Sequence, residues 1–145
     1  MAAATMDRNT AITRLERLKG PYTLGTSVRV YAGTIAAVVA ATGLVGVAGD
    51  TAGMRVVGFH LREASSAAAD ADYPSVPEIG AGEIWLGNGG NITAAHLGQT
   101  AYMLDDQTVG LAADATNDIK VGIIEAVDAT LGVLVSIDNG HSLPA

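Results

Sequence analysis

Cysteine does not occur in the 145 residues. Disulfides and thiolate metal sites are therefore excluded. Aromatic residues are scarce, with one Phe, one Trp and four Tyr. Small and β-branched residues supply most of the apolar content instead. Each removes little area from water when buried, so the core is expected to be thin. Association into oligomers is a common remedy for such a core. Cations are nearly missing from most of the chain. Arg8, Arg14, Arg17, Lys19 and Arg29 sit at the front, and after Arg62 only Lys120 remains. The net charge of −7 thus belongs to the body of the chain. An acidic body repels phosphate, which argues against nucleic acid as a direct partner. The first twenty residues hold no apolar core behind a basic start, so they do not read as a secretory signal.

What is present is a series of short runs with period-2 alternation, each bounded by turn residues. Ile35–Val39, Leu44–Val47, Glu83–Leu86 and Ala101–Leu104 read as strands. So do the alternating sets Val28/Val30, Val57/Phe59/Leu61, Val109/Leu111, Ile119/Val121/Ile123 and Val133/Val135/Ile137. The expected fold is all-β, a small β-barrel or β-sandwich. Val57, Phe59, Val121, Ile123, Val133, Val135 and Ile137 are expected to face its core. Residues 21–138 form this β-domain, and 139–145 are a C-terminal tail. Residues 1–20 form a non-β N-terminal arm. Ile12, Leu15 and Leu18 are spaced for a short one-sided helix, with Thr10 as its cap and Gly20-Pro21 as its stop. Residues 63–77 read as a mobile acidic loop. The uncharged run Val30–Ala48 is long enough to span a membrane. Its glycines and the central Thr42-Gly43 fit a buried hairpin better, so no membrane contact is expected.

No constellation in the chain points to catalysis. His60, His96 and His141 are far apart, with no pair at metal-ligand spacing. His60 falls on the outward face of its alternating run and reads as a surface residue. Asp105 and Asp106 are neighbours, so on a strand they point to opposite faces and make a poor acid–base pair. A turn role suits them better. No phosphate-binding loop or nucleophile elbow occurs. The expectation is a non-enzymatic binding or structural module with no cofactor and no metal.

The order of the pieces resembles a known family. Residues 30–59 lead through glycine-punctuated strands to Val56-Val57-Gly58. Residues 92–111 contain Gly98, Tyr102, Asp105, Asp106, Thr108 and Val109 as a hairpin. Residues 118–138 carry Lys120-Val121-Gly122 and then Val135-Ser136-Ile137. In this order they resemble the small capsid decoration, or cement, proteins of tailed bacteriophages, over roughly residues 28–138. The resemblance implies a homotrimeric β-domain on the outer surface of an icosahedral virion, made in the host bacterial cytoplasm. It would bind the major capsid protein and brace neighbouring subunits. The arm is the expected attachment device: Arg8, Arg14, Arg17 and Lys19 supply charge, and Ile12, Leu15 and Leu18 an apolar anchor. On this view it is mobile until it meets the shell. Other readings are a head-fibre base or adhesin module, and a small membrane protein built on residues 30–48.

Overall fold

The computed structural model describes residues 3–8 and 11–137. In chain order its strands are β1 (Ile12–Lys19), β2 (Arg29–Val30), β3 (Ile35–Val39), β4 (Val45–Val47), β5 (Met54–His60), β6 (Ala64–Ser65), β7 (Ile79–Asn88), β8 (Thr100–Met103), β9 (Thr108–Gly110), β10 (Lys120–Asp128) and β11 (Gly132–Ile137). The fold is all-β, as expected. β7, β9, β8, β10 and β11 pair in sequence, and β11 returns to β7, which closes a five-stranded barrel. Closure leaves these strands without an open sheet edge between them.

β7 pairs with four other strands. One of its edges carries β5 at Ile79 and Gly80 and then β11 from Gly82 to Leu86. The other carries β1 from Ile79 to Ile84 and then β9 at Gly87 and Asn88. From β5 the sheet continues outward through β3 to β4. Val30–Ala48 thus contains the β3–β4 hairpin, turned at residues 40–44, and no helix among the described residues is long and apolar enough to cross a membrane.

Two apolar clusters result. The barrel cluster holds Phe59, Ile84, Leu86, Met103, Val109, Val121, Ile124, Val133, Val135 and Ile137, among others. The second holds Leu24, Val30, Ala36, Val38, Val45, Val57, Ala64 and Ile79. Successive residues of β3 serve opposite clusters: Ala37 the first, Ala36 and Val38 the second. From Ile35 to Val38, β3 is therefore buried on both faces. The small β2–β6 ribbon contributes Val30 and Ala64 to the second cluster.

Three expectations are corrected. The segment expected as a helix in a non-β arm is strand β1, and its apolar spacing explains how. Register shifts fall between Ile12 and Arg14 and between Leu15 and Arg17. Each inserts one extra residue, as a β-bulge does. Ile12, Leu15 and Leu18, three apart, are thereby brought opposite Ile84, Gly82 and Gly80, two apart. Thr10, the expected cap, lies outside the described residues, as does the 139–145 tail. Gly20-Pro21 does end the element. Second, Ile123 is only half-buried, and Ile124, 1% exposed, faces the core instead. A register shift between Lys120 and Gly122 changes the parity of β10. Third, His60 is fully buried. Its in-register partner Ile79 belongs to the second cluster, so the face expected to meet water is covered.

Candidate binding surface

The residues expected to bind a partner fall into two groups with different surroundings. Arg8 belongs to a strap, residues 4–8, that is built into the fold. Ala4 N–H donates to Asp106 Oδ1 at 2.8 Å, and Asp7 Oδ1 accepts from Ala32 N–H at 2.9 Å. The Arg8 guanidinium donates to the carbonyls of Gly33 (2.7 Å) and Trp85 (2.9 Å). The strap therefore ties the loop before β3 to β7 and to the β8–β9 turn. Burial lowers the Arg8 pKa, and the nearby Asp106 and Asp105 oppose that shift. Burial raises the Asp106 carboxyl, and the Ala4 N–H bond acts against it. Gly33 permits the crossing: its φ is +80°, and a methyl group there would overlap the Arg8 carbonyl. Arg8 is thus a structural cation engaged within the chain.

The remaining expected residues share β1. Ile12, Leu15 and Leu18 align with the β7 residues whose side, at Ile84, faces the barrel core. Ile12 is partly buried against that core, whereas Leu15 is 48% and Leu18 70% exposed. Their opposite residues are Gly82 and Gly80, which offer no side chain to cover them. Gly82 is required where it stands, because a methyl group there would overlap the Arg14 carbonyl. Arg14, Arg17 and Lys19 align with Glu83, Ala81 and Ile79, the alternate set of β7. Arg14 bridges Glu83 and Glu16, both at 2.9 Å. The strand thus presents an apolar row on one face and a cationic row on the other. Its middle six residues are exposed.

Other polar groups hold loops. Arg29 joins Glu63 at 2.7 Å and Asp70 at 3.5 Å, and lies 4.4 Å from the Tyr73 ring centre and 5.3 Å from that of Tyr31. Together with the Ser65–Asp70 hydrogen bond, these contacts anchor the segment expected to be a mobile loop. Asp50 accepts N–H bonds from Thr116 and Asn117; burial opposes its ionisation, but these bonds outweigh it and lower its pKa. Asp105 Oδ1 accepts from Gln107 N–H, the turn role anticipated for it. His60 has no hydrogen-bond partner at either ring nitrogen, and burial pushes its pKa down to about 3.

Two open clefts lie around the loop containing Ala94–His96. In one, Asn88 and Asp128 are already bonded to loop backbone. In the other, His96 Nδ1 accepts from Thr93 N–H. No cluster of three or more potential metal ligands occurs among the described residues. The exposed, two-faced strand β1 is the surface most suited to binding. No family model, curated protein or solved structure matches the chain.

Proposed function

We propose that this chain is a structural, non-catalytic protein that binds the outer surface of an icosahedral phage capsid and stabilises it. Strand β1 carries the reading. It carries Arg14, Arg17 and Lys19, with Arg14 bridged to Glu16 and Glu83, in a molecule of net charge −7, beside two exposed leucines. The ordered motifs in residues 30–59, 92–111 and 118–138 support the same class. The partner is the major capsid protein, and the working form is a homotrimer. Neither nucleic acid nor membrane is contacted. Many copies on one shell make modest affinity at each contact sufficient, because the contacts act together. A small closed barrel suits bracing, since it transmits load without rearranging.

The test is to mix the purified protein with undecorated shells of the phage that encodes it. Saturable binding, with shells that withstand heating better when decorated, is the expected result. Absence of binding under conditions where the protein is folded overturns the proposal. Attachment to tail fibres or to cells instead would move it to the fibre or adhesin class.

A further inference from the structure

We propose that the β2–β6 ribbon is an acid-released cover: a proton on His60 lifts it from the sheet beneath while the barrel stays closed. The device is independent of the capsid reading. The ribbon is two residue pairs long. It forms a sheet of its own, with no ladder to the nine-stranded sheet among the described residues. The polar contacts of Arg29, Ser65 and Ser66 stay within the cover: Arg29 pairs with Glu63 and Asp70, Ser65 bonds Asp70, and Ser66 bonds the backbone of Gly25 and Val28. Attachment to the sheet is mainly apolar. Leu24, Val30 and Ala64 share the second cluster with Val57 and Ile79. One isolated bridge, Leu24 to Val45, adds backbone bonds to β4. Lifting the cover presents that apolar face.

His60 lies on the covered side. Residues paired across strands project to the same face, so its ring shares the face of Ile79. It is fully buried, and neither ring nitrogen has a hydrogen-bond partner. A proton added there has no acceptor until the layer opens. The charged groups around the layer are engaged with one another: Arg29 with Glu63 and Asp70, against the Tyr31 and Tyr73 rings, and Arg62 with Glu78. Tyr22 packs on the same cluster, and burial raises its pKa, so it stays neutral in acid. Burial alone acts on the imidazole. Once exposed, the ring titrates near 6.5. Each pH unit below that value therefore favours the open state about tenfold. The barrel need not open with it, because β7, β9, β8, β10 and β11 close on one another.

The experiment is amide hydrogen exchange on the full chain from pH 7 to pH 4.5, corrected for the intrinsic pH dependence of exchange and read by mass spectrometry. Protection across residues 24–30 and 64–66 is expected to fall about a hundredfold over that range. At every pH those residues should exchange well ahead of β10 and β11. The His60→Leu variant should flatten the response of the cover, although Glu63, Asp70 and Glu78 remain in place. A second variant keeps His60 and tethers the cover. Leu24→Cys/Val45→Cys places a disulfide at the bridge in a chain without other cysteines. Oxidised, it should reduce the acid response at least tenfold, and reduction should restore it. Where His60→Leu does not fold, the tethered variant decides. Exchange of cover and barrel at one common rate overturns the proposal. So does an acid response that persists in His60→Leu, which would pass the role to the carboxylates, or one that persists in the oxidised tether.

Discussion

His60 is a fully buried titratable side chain with neither ring nitrogen partnered. Free histidine titrates near 6.5, and burial moves His60 down to about 3. Above 6.5 both folded and unfolded chains carry it neutral, and its contribution to stability is complete. As pH falls, the unfolded chain takes up the proton first, so stability declines until about pH 3. At roughly 1.4 kcal/mol per unit, the full loss is on the order of 5 kcal/mol. Asp50 and Asp128, whose pKa values lie below the ordinary 3.8, contribute losses only at lower pH. The His60→Leu variant should therefore match the native chain at pH 7 and exceed it at pH 4.5, measured by urea unfolding. Parallel curves at both pH values would refute this. At Gly33, φ and the Arg8 carbonyl together exclude a side chain. The Gly33→Ala variant is expected to lose about 2 kcal/mol, with faster amide exchange at Ala4 and Arg8. Loss of stability with unchanged exchange there would show that the strap is not what the methyl group displaces.

Among the elements, side-chain orientation was legible where buried and half-buried residues alternate and was misread where both faces are covered. β11 alternates Val133, Val135 and Ile137 inward with half-buried residues between, so its pattern carries its orientation. β5 has both faces covered, so the rule that polar means outward failed at His60. β7 was recognised only from Glu83 to Leu86, because Gly80 and Gly82 interrupt the alternation upstream. Those glycines stand where β1 crosses close by, a constraint that becomes visible only with the partner strand in place. β1 imitated a helix because two bulges turn a spacing of three into a strand. For the proposed binding surface, the residues of β1 were chosen from charge and apolarity alone. Their separation onto two faces, and the structural role of Arg8, required the register. The 63–77 segment makes a testable element. Its anchor is Arg29, about a third exposed, so each ion pair is worth little alone and the contacts hold the segment only as a set. The Arg29→Ala variant should admit proteolytic cleavage within residues 66–76 while the barrel stays resistant. Cleavage at the same rate as in the native chain would mean that Ser65 and Asp70 hold the segment without it.

For the whole molecule, charge should act in opposite senses on the two proposed associations. The body is acidic and the net charge is −7, so bringing three copies together raises like-charge repulsion. Salt screens such repulsion over about 8 Å at physiological strength. A homotrimer held by apolar area should therefore tighten as salt rises. The proposed attachment to the shell through β1 involves charges at the surface, and the same screening should weaken it. A single salt series thus separates the two contacts without any mutation. Sedimentation equilibrium should show the monomer–trimer balance shifting toward trimer at high salt, while the fraction of protein bound to shells declines. The R17E/K19E variant should leave the first trend in place and flatten or reverse the second. If trimer and shell binding fall together with salt, β1 lies in the contact between copies, and the acidic surfaces of neighbouring subunits are its partner. If neither responds, the exposed leucines rather than the cations dominate the surface, and Leu18→Ser becomes the variant that abolishes attachment.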